Sequence, residues 1–295
     1  MGAKVILITG ASKRDGVGYQ LCKQLIAEGH RIIATSRTPE DSDLTKDKLA
    51  SEDQLSIRSL DLCCQDSMDA FVAGVLNDYG SIDGLVNNAA QVVIGPAEAA
   101  SASDITTTFQ SKVFGPLALM RAFLPGMKEK KSGVITTTGS IFCTMPVIMP
   151  GISIYLAAIN ALERIQESMA IECAPWNIKL FNFHAGPIKT RLTIMQPENQ
   201  ALIESDYKNF TEHAFTWFSK HVEWQTAEEV AIPYAKAILS SDPDFHVYSS
   251  ESGARFAAEY NKDISANSYR NGLLDYFQQL SYEPSDWNPN ADSGL

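Results

Sequence analysis

The chain has 295 residues, 45% of them hydrophobic, and a formal net charge of −11. That hydrophobic share supports a sizeable core, and the acidic balance argues against nucleic acid or an anionic membrane surface as the main partner. No apolar run approaches the roughly 18 residues of a membrane span.

Apolar, β-branched runs occur at 4–9 (KVILIT), 31–36 (RIIATS), 55–60, 83–87, 133–138 and 178–183. Stretches of helical period lie between them, near 17–28, 66–78, 104–129, 153–173 and 226–239. Short continuous apolar strands alternating with helices predict an α/β fold with a parallel sheet covered on both faces. Without linker or repeat, residues 1–280 read as one domain. The stretch 190–225, which carries Phe210, Phe215, Trp217, Phe218 and Trp224, reads as an inserted lid with room for an apolar ligand. Residues 281–295 have the composition of a loose tail.

The five cysteines, Cys22, Cys63, Cys64, Cys143 and Cys173, show neither CxxC nor zinc spacing. No metal site is therefore expected, and an odd count suits a reducing compartment. KVILIT runs straight into a glycine turn and reads as a strand rather than a signal peptide. Position 6 is Ile where N-myristoylation wants Ser or Thr. The expectation is a soluble, cytoplasmic protein in which the sequon at Asn209 is idle.

The first strand ends in TGASKRDGVG, followed by a helix from about Val17. Gly10 suits the sharp turn, and Gly16 and Gly18 suit close approach of backbone to phosphate and of helix to strand. The helix N-terminus offers free N–H groups and a positive dipole end to a pyrophosphate. The loop residues Ser12, Lys13, Arg14 and Val17 belong to the same candidate dinucleotide site. At the end of the second strand, where a carboxylate would select the ribose hydroxyls of NAD, the chain has Arg37. Arginine suits a 2′-phosphate, and Lys13 and Arg14 add positive charge nearby, so the expected cofactor is NADP.

In this order, TGASKRDGVG (9–18), the pair Asp61-Leu62, NNAA (87–90), GS (139–140), Tyr155 and GPIKT (186–190) resemble the short-chain dehydrogenase/reductase family over roughly residues 4–240. The run MRAFLPGMKEKKSGVITTTGS is similar to the branch containing estradiol 17-beta-dehydrogenase and retinol dehydrogenases. The resemblance implies a Rossmann-type doubly wound sheet, a homodimer paired through two long helices, and oxidoreductase chemistry. It implies that Asp61 contacts the adenine, that Asn88 and Ala89 line the cofactor, and that Ile188 and Thr190 hold its nicotinamide end. Ser140 would hydrogen-bond a substrate carbonyl and Tyr155 would pass it a proton.

Four departures bear on the site. Five residues separate Gly10 from Gly16 where the family has three, so the extra pair must bulge outward. Ser140 lies 15 residues before Tyr155, about two more than usual, with PVIMP (146–150) as the bulge. Most consequentially, Ile159 stands where the family's catalytic lysine should follow Tyr155 by four residues. Isoleucine can neither bind a ribose nor stabilise a phenolate, and its apolar surface raises a phenol pKa from its ordinary ~10. The family's active-site asparagine lies three residues before the glycine of the fourth helix; counting back from Gly115 gives Lys112. A lysine there could return the missing cation from a neighbouring helix, and His184 is a second candidate proton carrier. Two readings follow. One is an NADP(H)-dependent oxidoreductase that reduces a ketone or aldehyde of an apolar molecule through a rearranged proton relay. The other is a protein of the same fold with non-redox chemistry or nucleotide binding alone.

Overall fold

The computed structural model describes residues 2–90, 93, 95–144, 151–190 and 223–262. Seven strands form one sheet: β1 (Val5–Ile8), β2 (Arg31–Ser36), β3 (Leu55–Ser59), β4 (Gly84–Asn87), β5 (Gly133–Ser140), β6 (Ile178–Ala185) and β7 (His246–Tyr248). Their order is β3-β2-β1-β4-β5-β6-β7 and every pairing is parallel. This is the doubly wound Rossmann-type sheet. Its order reverses between β1 and β4, and ligands bind such sheets in the crevice beyond the strand ends at that point.

The helices are α1 (Val17–Ala27), α2 (Asp43–Asp47), α3 (Gln65–Tyr79), α4 (Ala102–Phe109), α5 (Gly115–Lys130), α6 (Ser153–Cys173), α7 (Ala227–Leu239) and α8 (Glu251–Tyr260). Strand alternation divides the core into two layers. Ile6, Ile8, Val86, Phe181 and Phe183 face α1 and α7, whose Leu21, Leu25, Val230 and Tyr234 are buried against them. Leu7, Ile33, Leu85, Ile135 and Leu180 face α3, α5 and α6, meeting Phe71, Phe123, Met127 and Leu162. Burial on both faces is why these strands read as continuous apolar runs. On the first side the Phe183 and Tyr234 rings stack with centroids 3.9 Å apart.

Four features depart from the sequence expectation. The short α2, β7 and α8 were not expected; β7 is only three residues long and follows the turn-rich SDPD. The continuous helix expected over 104–129 is divided instead. A π-turn at Gln110–Phe114 separates α4 from α5, closed by the Gly115 N–H on the Gln110 carbonyl. Gly115 is required at this close approach, because a Cβ there would lie 2.9 Å from Leu62 Cβ and 3.1 Å from the Leu62 carbonyl. The PVIMP bulge, the tail and all of the lid except Thr190 and residues 223–225 lie outside the described residues.

Candidate active site

The glycine turn is built by contact rather than by flexibility alone. Gly10 has φ +68°, and a Cβ there would sit 2.7 Å from Ala89 Cα. A Cβ on Gly18 would meet Asn88 Nδ2 at 2.6 Å and the Gly10 carbonyl at 2.7 Å. Asn88 is the clamp. Its amide donates to the Thr9 and Gly10 carbonyls at 2.9 and 3.0 Å, and its Oδ1 accepts from Thr138. The Asn88 side chain thus ties β1, β4 and β5 together at the switch point. The Asn88 and Ala89 N–H groups both donate to the Thr9 hydroxyl at 3.0 Å, so the backbone here is held as firmly as the side chain.

The inserted residues fold outward as a turn in which Gly16 N–H donates to the Lys13 carbonyl. The Arg14 guanidinium forms a two-point ion pair with Asp47 of α2, and Tyr19 donates to the same carboxylate at 2.5 Å. Arg14 is therefore a brace between loop and α2, holding the Asp47 carboxyl below its ordinary range. Val17 and Gly18 are buried in the first turn of α1, which starts at Gly16 with no side-chain cap and no acidic residue. Its N–H groups are thus left for an anion, a fit to the pyrophosphate expected there. The Ser12 carbonyl is occupied by the backbone of Asp43.

Arg37 is exposed just beyond β2. Asp61 Oδ1 accepts from the Cys63 N–H, and Leu62 is buried with its carbonyl bonded by Gln110. Ser59, which ends β3, pairs with Ser36 and donates from its hydroxyl to the Arg37 carbonyl at 3.4 Å, so Arg37 and Asp61 follow the neighbouring ends of β2 and β3. Ile188 and Thr190 are both 9% exposed, and the segment 187–189 after β6 is pinned by reciprocal backbone hydrogen bonds with Gln225.

The structure puts Tyr155, Ile159 and Lys112 in one place. Tyr155 lies in the first turn of α6, and Ile159, one turn on, is buried at 2% exposure. The π-turn presents Lys112 inward, also at 2% exposure, with its Nζ 5.9 Å from the centroid of the Tyr155 ring. That ammonium makes one hydrogen bond among the described residues, to the Ala89 carbonyl at 3.4 Å. A single-turn widening of a helix, which π-turns often supply at functional sites, is what aims a long side chain into a space an ordinary turn would miss. Burial depresses the Lys112 pKa from 10.5 to about 8. Burial also pushes the Tyr155 phenol up, so the tyrosine stays protonated at neutral pH. Ser140, the last residue of β5, accepts the Phe142 N–H on its Oγ at 3.3 Å, leaving the hydroxyl proton free to donate.

Sequence reasoning singled out His184 as a candidate proton carrier but not the group behind Ser140 to which it belongs. His184 is fully buried, with Nδ1 3.1 Å from the Ser140 carbonyl and Nε2 2.8 Å from His246 Nδ1. Cys143 and Glu163 lie beside it. Their signal was faint because the residues come from four separate elements and a glutamate within an amphipathic helix reads as surface.

The short chain dehydrogenase family profile matches residues 4–201. Retinol dehydrogenase 8 of Homo sapiens is 31% identical over 63% of this chain, an alignment that spans only 60% of that protein's length. The 17-beta-hydroxysteroid dehydrogenase type 1 of Homo sapiens is 28% identical over 85% of this chain and 79% of its own. Among solved structures, a short-chain dehydrogenase from Streptomyces avermitilis superposes with TM-score 0.76 at 27% identity, covering 95% of this chain and 98% of its own. One from Burkholderia cenocepacia, in complex with NADP, superposes at 0.69 and 21% identity over 91% and 97%. No helix among the described residues is long and apolar enough to cross a membrane. With a family profile matching about two thirds of its length and a doubly wound sheet that superposes on a solved short-chain dehydrogenase, the chain belongs to the short-chain dehydrogenase/reductase family.

Proposed function

We propose that this protein is an NADP(H)-dependent oxidoreductase that reduces a ketone or aldehyde of an apolar small molecule, with Lys112 supplying the cation that Ile159 cannot. The observation carrying this reading is the buried Lys112 ammonium over the Tyr155 ring, 3.4 Å from the carbonyl of Ala89 in the cofactor-lining segment. A buried cation with one neutral partner is costly. Its remaining donors suit ribose hydroxyls or a developing negative charge.

When bound, NADP(H) supplies the hydride. Gly10, Gly16, Gly18 and the first turn of α1 would hold its pyrophosphate, Asp61 its adenine, and Ile188 and Thr190 its nicotinamide end. Ser140 donates a hydrogen bond to the substrate carbonyl oxygen, polarising it. Tyr155, kept protonated by burial, gives that oxygen a proton. The phenolate so formed would be strongly disfavoured in an apolar site, and Lys112 offsets that charge from the ring face. Because a protonated phenol donates readily and accepts badly, reduction should outrun alcohol oxidation at pH 7. Rates in both directions between pH 6 and 10, with a panel of apolar aldehydes and ketones, test this. Fast alcohol oxidation at pH 7, or no NADPH oxidation with any carbonyl while the nucleotide binds, refutes the reading.

Arg37 and Lys13 would meet the 2′-phosphate, with Arg14 held back by Asp47. The NADP-bound Burkholderia structure shares this fold. The protein should bind NADPH at least about tenfold more tightly than NADH, and Arg37→Ala should remove most of that preference. Arg14→Ala should change it much less. Titration of intrinsic fluorescence measures all three, and equal affinities in the unmodified protein would reject the assignment. Phe114, just before α5, and Ile171, on α6, are 54% and 79% exposed and support pairing of two copies through these long helices.

A further inference from the structure

Behind Ser140, on the side away from the glycine turn, the Cys143 thiol, the Glu163 carboxylate and a His184 ring nitrogen lie within 4.8 Å of one another, all buried. They come from the turn after β5, from α6 and from β6. A fourth donor arrives from β7: His246 Nδ1 is 2.8 Å from His184 Nε2 and 3.8 Å from Glu163 Oε1. We propose that Cys143, Glu163 and His184 hold a divalent transition metal, zinc being the ion of best-matched chemistry, with His246 beside them completing a tetrahedral set by a shift of its ring.

The donor set is one sulfur, two imidazoles and one carboxylate, the ligand types zinc takes. In a tetrahedral zinc site neighbouring donor atoms are roughly 3–4 Å apart, as follows from bond lengths near 2.0–2.3 Å. The three clustered donors, within 4.8 Å of one another, would close on an ion by shifts of up to about 1 Å, and the 2.8 Å imidazole pair would part to admit it.

The hydrogen bonds around the cluster orient its donors. The Ser140 carbonyl can only accept, so the His184 proton is on Nδ1 and the lone pair is on Nε2, where it accepts from His246 Nδ1 at 2.8 Å and where an ion would take that proton's place. His246 turns Nδ1 inward and has Glu167 Oε1 3.9 Å from its other nitrogen. Both rings thus have an acceptor opposite the nitrogen that does not face the cluster, the arrangement that orients metal-bound histidines. Arg164 holds the carboxylates in turn, reaching Glu163 and Glu167 at 2.8 Å each. His246, part exposed, provides a route for the ion from solvent. Binding would displace the thiol proton, and any proton on Glu163, to water; no redox change is involved.

The ion would staple β5, β6, β7 and α6 together directly behind Ser140. Its absence from sequence spacing is explained by the distribution of its ligands, since Cys143 and His246 are about a hundred residues apart.

The test uses the full-length protein, purified without chelator, incubated with zinc chloride and desalted. Elemental analysis should find about one zinc per chain, and chelation should lower Tm by about 5 °C or more. Cobalt(II) should give tetrahedral visible bands and a near-ultraviolet thiolate charge-transfer band. The isosteric variants Cys143→Ser and Glu163→Gln should bind at least tenfold more weakly, whereas the exposed pair changed together (Cys63→Ser, Cys64→Ser) should retain the metal. The cobalt spectrum of the unmodified protein decides between the outcomes even if a variant fails to fold. No retained metal, a cobalt spectrum without the thiolate band, or binding lost with Cys63 and Cys64 rather than Cys143 overturns the proposal.

Discussion

Lys112→Met should lower carbonyl reduction by about 10²–10⁴ while making the protein more stable. The two effects have one cause. The ammonium is buried at 2% exposure with a single backbone carbonyl as its hydrogen-bond partner among the described residues. Its pKa falls from 10.5 to about 8, equivalent to roughly 3 kcal/mol of unfavourable burial at neutral pH. Methionine fills the same volume without that cost, so Tm should rise by about 5 °C. The pH dependence follows from the direction of the shift. Below pH 8 both folded and unfolded chains carry the proton and the penalty is present in full. Between about pH 8 and 10.5 the unfolded chain holds more protons, so stability of the unmodified protein rises with pH and the gap to Lys112→Met closes. Reduction should fall over the same pH range as the ammonium is lost, a limb absent from the variant's residual activity. Thermal melts and rate profiles from pH 6 to 10.5 measure both. A fully active, no more stable Lys112→Met protein would show that the lysine does not act on Tyr155.

Restoring the usual lysine by Ile159→Lys should damage the protein. Ile159 is 2% exposed on α6, and a second ammonium there would be buried close to the first. Like charges in one small apolar site repel, and an unpaired buried cation costs on the order of 3 kcal/mol. Ile159→Lys alone should therefore lose stability and activity together. Combined with Lys112→Met, it places one cation back on the Tyr155 helix, and the double variant should recover at least about tenfold over Lys112→Met alone. The recovery is a non-additive effect, as expected when two positions supply one function. Activity above that of the unmodified protein in Ile159→Lys alone, at unchanged Tm, would mean that Lys112 leaves the position unfilled.

Much of this molecule is local in its sequence and therefore legible there. Strands buried on both faces must be apolar throughout, which is why β1, β2, β5 and β6 stand out as runs, and why the parallel sheet followed from their alternation with helices. Gly10 and Gly18 are demanded by approaches within 3 Å of neighbouring backbone and side chain, and close approach leaves no other residue to choose. The loss of lysine at Ile159 and the candidacy of Lys112 were likewise visible by counting. Other features depend on partners distant in the chain. Arg14 read as a phosphate ligand, yet Asp47, more than thirty residues on, takes its guanidinium, and no local pattern encodes that pairing. The break of the fourth helix into α4, a π-turn and α5 follows from packing of Gly115 on Leu62, so helical periodicity alone gave a continuous helix. The same π-turn decides that Lys112 points inward to Tyr155 instead of out to water. Cys143, Glu163, His184 and His246 show no spacing, because strand order brings β5, β6 and β7 side by side and lays α6 across them. Residue types and short-range geometry thus determined the fold class and the cofactor turn. The direction of Lys112 and the cluster behind Ser140 were decided only by tertiary contacts, since burial and partner choice are properties of the assembled chain.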